Sequence, residues 1–511
     1  MLAKINSLGF EGIEGYHVVV EVNIANGIPA FDVVGLPGAT VRESRERVKA
    51  AITNSNQIFP IKRITANLAP ADKKKEGAIY DLPIALGVLC ANGAINADIS
   101  KSCFIGELSL DGSVRGIRGV IAMLVEAINQ GFDKIYIPSS NKNEVACING
   151  IEIIPIDNLV QLIKILNAKE KTVTLKVVDY RTLVENSKSH IDFSHIKGQF
   201  MAKRALEIAA AGGHNLLMIG PPGSGKTMLA TALSGIMPPL SFDEALEVTK
   251  IHSIAGILDS EEGIVLKRPF RSPHHTSSSI ALTGGGSKVR PGEISLAHNG
   301  VLFLDEFPEF QRQVLEALRQ PLEDGVITVS RASGTAVFPS NIMLVASMNP
   351  CPCGHYGSST GQCTCNRSQI SRYLHKISGP LLDRLDIHVE VDSVPFSQLS
   401  RMDGGEKSED IAKRVAKARA VQQGRYKDEG IYRNSQLQPV HKNKYCKLDD
   451  EGLNILKQYF SRLSLSARAY DRVIKIARTI ADLDDSTNIE EKHLLEALQY
   501  RTLDRKYWVN G

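Results

Sequence analysis

Cysteine is scarce in this chain, with eight residues in 511. That excludes a disulfide-stapled secreted fold, which would be short and cysteine-dense, and makes the reducing cytoplasm the expected compartment. Long apolar runs are absent, so no membrane-spanning helix is expected and no membrane partner. The beginning offers no leader pattern: Met1 to Phe10 runs straight into alternating apolar residues, Tyr16, Val18, Val20 and Val22. Excess charge is missing too. Sixty Lys and Arg against 56 Asp and Glu leave a net +4, too little for the total alone to argue for nucleic acid. There is no internal repeat and no low-complexity tract. What remains is an ordinary globular composition, 43% hydrophobic and 23% charged. The chain is too long for one hydrophobic core and suits about three domains.

Residues 1–168 read as mixed α and β. Strand signals lie at 17–22, 31–34 and 134–137, and helix signals at 41–52, 82–89 and 120–128. Residues 169–191 are polar without a long apolar period and read as a linker. Residues 192–398 alternate strand and helix signals, as a nucleotide-binding α/β domain does. From 399 to 511 the spacing turns helical, with Thr487 and Glu490 placed as a capping box for the last helix.

Gly220-Pro221-Pro222-Gly223-Ser224-Gly225-Lys226-Thr227 is a complete phosphate-binding loop between an apolar strand (216–219) and a helix (228–233). Its glycines let successive backbone N–H groups turn toward phosphate oxygens, and the following helix adds its positive end. Lys226 is placed for the β- and γ-phosphates of ATP, and the Thr227 hydroxyl for Mg2+. Val301 to Leu304 is an apolar strand that stops at Asp305 and Glu306. A buried strand ending in acids delivers them to the sheet edge where ligands bind. Asp305 is the expected Mg2+ partner and Glu306 the group that polarises the attacking water. A third apolar strand, 342–346, runs into Asn349-Pro350. Asn349 there either orients water against the γ-phosphate or simply makes a turn.

Cys351-x-Cys353 and Cys363-x-Cys365 are nine residues apart. Four thiolates can enclose a structural Zn2+, though C-x-C is tighter than the usual spacing, and a metal-free loop of reduced thiols is the alternative.

The motifs extend further. Ile196-Lys197-Gly198-Gln199 precedes the phosphate loop. Phe270-Arg271-Ser272-Pro273-His274-His275 and the stretch Pro291 to Gly300 precede Asp305. Leu318 to Glu323, Asn349 to Gly354 and Gly379 to Asp386 follow. On these residues the chain resembles AAA+ ATPases of the magnesium-chelatase-like branch. With Gly35 to Val48 added, it is similar to the YifB/ComM family over nearly its whole length. The resemblance implies an α/β fold: an AAA+ P-loop ATPase core with a helical C-terminal lid, preceded by an α+β ribosomal-protein-S5-like (Lon-protease-like) domain. It implies that Arg384 is an arginine finger reaching a neighbour's γ-phosphate and that Arg468 is a second sensing arginine, acting on its own nucleotide or a neighbour's. The bland reading of Arg384 is a salt bridge to Asp383 or Asp386. A finger in trans implies a homo-oligomer, by family expectation a hexameric ring.

The Lon-like resemblance (Thr65 to Pro70, Lys74 to Leu86, Gly106 to Gly112) comes without the protease chemistry. The serine and lysine positions of a working dyad fall on Ile79 and near Ile121, and neither isoleucine can serve as nucleophile or base. The family reading is an ATP-driven helicase or branch-migration translocase on single-stranded or branched DNA, active in homologous recombination of incoming DNA during natural transformation. A magnesium-chelatase motor subunit, an ATP-dependent protease and a nucleotide-switched scaffold are the competitors. For DNA contact two places stand out. One is a hairpin at 326–338 with Arg331 near its tip. The other is residues 401–447, with twelve Lys and Arg against six Asp and Glu and with Tyr426, Tyr432 and Tyr445 interleaved.

Overall fold

The computed structural model describes residues 1–185, 192–259, 261, 263–286, 289–331, 334–357, 361–394, 405–463 and 467–509. Residues 186–191 of the expected linker, residues 401–404 of the basic stretch and the side chain of Arg331 lie outside the described residues. The chain divides into two compact units. One comprises Met1–Asn186, Ser241–Leu266 and Ser330–Phe338; the other comprises Ser187–Leu240, Lys267–Val329 and Pro339–Gly511. Two segments lying within the expected ATPase core in sequence therefore count with the first unit.

The first unit is built on a seven-stranded mixed sheet. Its strands are β1 (Leu2–Glu11), β2 (Glu14–Ala25), β3 (Ala30–Val34), β4 (Arg63–Ala69), β5 (Ser102–Phe104), β6 (Lys134–Pro138) and β7 (Glu152–Ile156), in the order β3-β4-β2-β1-β5-β6-β7. β2 alternates as a half-buried strand must: Val18, Val20, Val22 and Ile24 face the core while their neighbours are more exposed. It pairs antiparallel with β1, Val20 opposite Ile5. Its helices include α1 (Ala39–Asn54), α2 (Asp81–Ala91) and α3 (Val120–Asn129). α1 buries Val41, Ser44, Val48, Ala51 and Ile52, a stripe at helical spacing. α2 is buried almost all round, consistent with its unbroken apolar run. Ile79 and Ile121 both sit in this core.

The second unit carries a five-stranded sheet. Its strands are β8 (Leu216–Ile219), β9 (Phe270–Arg271), β10 (Val301–Leu304), β11 (Met343–Met348) and β12 (Ile387–Glu390), in the order β9-β10-β11-β8-β12. Every pairing is parallel, so all five C-terminal ends lie on one edge. β8, β10 and β11 are buried along their whole length, which is why they read as continuous apolar runs. α4 (Phe200–Gly212) and α5 (Lys226–Leu233) flank β8 in sequence. Among the helices that follow the sheet are α6 (Ser408–Arg425), α7 (Asp450–Leu463), α8 (Ala467–Leu483) and α9 (Glu491–Gln499). Val415 of α6, Leu456 of α7, Ile476 and Ile480 of α8 and Leu494 of α9 share one hydrophobic core with β8, β10 and β11. The helical region thus packs into the α/β layer.

α9 corrects one local expectation. Its N-cap is Glu490, whose side chain accepts from the His493 backbone while the His493 ring accepts from the Glu490 N–H. Thr487 lies outside the cap; its carbonyl is taken by Arg478 at 2.8 Å. No helix among the described residues is long and apolar enough to cross a membrane.

Candidate nucleotide site

The phosphate loop runs from the buried end of β8 into α5. Gly223 and Gly225 take φ of 74° and 89°, the left-handed region that side chains avoid. The turn this permits brings Lys226 back over its own loop. Its Nζ donates to the carbonyls of Gly220 at 2.8 Å and Pro221 at 2.9 Å, and lies 3.4 Å from Asn349 Oδ1. Burial lowers the pKa of this ammonium, and Asp305 pulls the other way.

Asp305 leaves the end of β10 between two neighbours of the same edge. Thr227 Oγ1 donates to its Oδ2 at 2.9 Å, Ser347 at the end of β11 donates to its Oδ1, and the Glu306 N–H donates to Oδ1 at 3.0 Å. The two expected Mg2+ partners, Thr227 and Asp305, therefore touch. Glu306 sits at φ 53°, a left-handed conformation uncommon outside glycine and concentrated at working sites. Its carboxylate points outward, half exposed, with Oε2 2.9 Å from His275 Nδ1. The His275 ring is packed against His274, centroids 4.2 Å apart, and edge-on to Phe310 at 6.4 Å. Sequence reasoning assigned no task to His275 or Ser347. The available signal was topological: β9 and β11 flank β10, so residues at or just beyond their C-terminal ends lie beside Asp305 and Glu306.

Arg384 and Arg468 do not join this edge. They line a separate cavity of about 520 Å³ whose walls include no phosphate-loop residue. Arg384 pairs with Glu323 at 2.7 Å, so its partner is neither Asp383 nor Asp386. Those two acids are engaged from α8: Asp383 by Arg468 at 3.4 Å and Arg472 at 3.8 Å, Asp386 by Arg472 at 3.2 Å. Asp386 also meets His214 Nδ1 at 3.2 Å. Burial alone would raise its pKa, but the His214 hydrogen bond and charge, with Arg472 and Lys475, outweigh that and hold it at about 2.

Cys351, Cys353, Cys363 and Cys365 come together just beyond Asn349. Sγ of Cys351 is 3.3 Å from that of Cys353 and 3.7 Å from that of Cys363, with 3.6 Å between Cys353 and Cys363. All four sulfurs lie within 4.8 Å of one another. A tetrahedral site with metal–sulfur bonds of about 2.3 Å has sulfur–sulfur edges of about 3.8 Å, so the cluster fits a metal ion.

Part of the charge of the basic stretch is taken up in ion pairs. Arg414 pairs with Glu207 at 2.6 Å, Arg425 with Asp482 at 2.5 Å, Lys442 with Asp471, and Lys444 with Glu429 at 2.6 Å. Tyr426 is buried and packs edge-on to Tyr445 at 5.3 Å, while Tyr432 is exposed. The aromatic spacing that suggested base stacking is in large part core packing.

A parallel sheet with a phosphate loop, an Asp-Glu strand end and a trailing helical layer defines a protein of the AAA+-like, magnesium-chelatase class. Family models agree: "Magnesium chelatase, subunit ChlI" matches residues 192–399, "Subunit ChlI of Mg-chelatase" residues 20–141, and "Magnesium chelatase, subunit ChlI C-terminal" residues 405–501. The chain is 45% identical to protein YifB of Escherichia coli (strain K12) and 44% identical to competence protein ComM of Haemophilus influenzae. It is 43% identical to protein YifB of Salmonella typhimurium. Each match spans 99% of this chain and 98% of the relative. The chain belongs to the YifB/ComM family.

Proposed function

We propose that this chain is an ATP hydrolase that works as a ring of identical protomers, six by family expectation, and moves DNA. One observation carries the reading. Lys226, Thr227, Asp305, Glu306 and Asn349 meet at one sheet edge, while Arg384 and Arg468 share a different cavity. Two half-sites on one protomer suit a reaction completed across a protomer boundary. They also favour Arg468 acting beside Arg384 on the neighbour's nucleotide.

In this mechanism the backbone of Gly220 to Gly225 cradles the phosphates, and Lys226 exchanges its carbonyl partners for phosphate oxygens. Thr227 and Asp305 would hold Mg2+, which supplies charge neutralisation across the β- and γ-phosphates. Glu306 takes the proton of the attacking water, with His275 fixing its direction and Asn349 orienting the γ-phosphate side. The neighbour's Arg384 stabilises the charge that builds as the phosphoryl group transfers. The first unit acts as a non-proteolytic platform of Lon-protease-like type, and the buried isoleucines 79 and 121 support that. Cys351, Cys353, Cys363 and Cys365 would hold a structural Zn2+.

The DNA partner rests on full-length similarity to a protein named for competence. It points to helicase or branch-migration work on single-stranded or branched DNA, as in recombination of incoming strands, with the 326–338 hairpin as the moving grip. The chelatase family models favour a second reading, a magnesium-chelatase-type motor subunit. ATP hydrolysis by the purified chain with and without single-stranded, duplex and branched DNA separates them. Stimulation by DNA is expected; a rate indifferent to every DNA form across salt concentrations overturns the DNA reading.

A further inference from the structure

The four-cysteine cluster sits against the ATP machinery. Cys351 is two residues past Asn349, whose Oδ1 lies 3.4 Å from Lys226 Nζ. Gly354, inside the cysteine loop, is pressed on the phosphate loop. A Cβ there would stand 2.5 Å from Pro222 Cδ and 2.8 Å from Pro222 Cγ, and its φ of 85° independently disfavours any side chain. Tyr356 makes a second tie. Its N–H donates to Cys351 Sγ at 3.3 Å, and its ring meets Tyr507 edge-on at 6.3 Å. Tyr507 donates to Glu390 at 2.7 Å. The next residue, Val391, donates its N–H to Ile219 O at 2.8 Å, just before Gly220. The cysteine loop thus touches the phosphate loop directly and also braces the strand end beside it.

A tetrathiolate site needs its metal to stay compact. Metal binding requires deprotonated thiols, and four such charges within 4.8 Å repel unless a cation sits among them. A metal ion also cross-links Cys351 and Cys353 to Cys363 and Cys365, closing a loop of the chain.

We propose that metal occupancy of Cys351, Cys353, Cys363 and Cys365 locks the ATP site: with Zn2+ bound, Gly354 bears on Pro222 and Asn349 on Lys226, and without it the phosphate loop loses that backing and nucleotide affinity falls. The proposal rests on the zinc and ATP readings above, and its test keeps the three apart. The full chain is purified with zinc supplied. Zinc per chain is measured by mass spectrometry, and the Kd for a fluorescent ATP analogue by titration with Mg2+. The wild type is expected to hold one zinc ion. The C363S/C365S double variant is expected to hold none and to bind nucleotide about tenfold or more weakly, the scale of losing an outer-shell support. Gly354→Ala keeps every thiol; it is expected to retain zinc and still lose nucleotide affinity.

A zinc-free double variant with wild-type affinity overturns the lock and leaves the zinc reading standing. A wild type that takes no zinc overturns the zinc reading and the lock with it. A wild type that holds zinc but binds no nucleotide overturns the ATP reading and therefore the lock. If circular dichroism finds the double variant unfolded, Gly354→Ala decides: zinc kept with unchanged affinity overturns the proposal.

Discussion

The phosphate-loop edge and the Arg384 cavity belong to the same unit, yet they hold charge in opposite ways. At the edge, Lys226 is kept by neutral carbonyls and an amide, and the acid nearest its loop, Asp305, is occupied by hydroxyls and an N–H. In the cavity each of the three arginines discussed has a carboxylate: Arg384 on Glu323, Arg468 on Asp383, Arg472 on Asp386. An ammonium held by dipoles gives them up readily to a phosphate. A guanidinium on a carboxylate has its charge already matched, though loosely where the pair is exposed, as at Arg468 and Glu323. In the mechanism proposed above, the edge takes the nucleotide and the cavity's arginines act on one bound elsewhere.

The sharpest way to break this comparison is Lys226→Ala. Loss of nucleotide binding to background is expected by fluorescence titration, and retained binding would mean the edge is not the phosphate site. Arg384→Ala comes next: hydrolysis slows by about 10³ or more while nucleotide affinity holds. Normal turnover there would end the reading of the cavity as a finger site. His275→Ala is expected to lower kcat by about tenfold with Kd for ATP unchanged. That is less than the 10² to 10⁴ a general base supplies, because Glu306 remains and only its direction is lost.

The smallest effect falls on stability. The Asp386 pKa is depressed in the folded chain to about 2, against about 3.9 unfolded. A depressed carboxylate contributes fully above its unfolded pKa, and the contribution is lost as pH falls through the folded pKa. Asp386→Asn should therefore cost about 2–3 kcal/mol at neutral pH. In urea denaturation followed from pH 6 to pH 2, the gap between wild type and variant should close below about pH 4. A constant gap would mean that Asp386 acts by packing alone.

Much of this was legible beforehand because it is written in neighbouring residues. β8, the glycine-lysine turn and α5 form one continuous stretch, and the apolar run ending in Asp305 and Glu306 had to deliver them to the sheet's edge. The partner of Arg384 was not legible. Adjacent acids looked available, but the fold turns Asp383 and Asp386 toward α8 and brings in Glu323. The partners of the basic stretch were equally hidden: Arg414 and Arg425 meet Glu207 and Asp482 from other helices. The Thr487 cap failed by three residues because the His493 ring served Glu490 better than a hydroxyl further back could.

By itself the order of residues determined which chemistry this protein carries and which elements hold it, since turn geometry and apolar period depend on near neighbours. Only the tertiary structure decided who faces whom: Thr227 with Asp305, Glu306 with His275, Gly354 with Pro222, Arg384 with Glu323. Those pairings follow from which faces must be buried together, a condition set by the whole core and by no single stretch of chain.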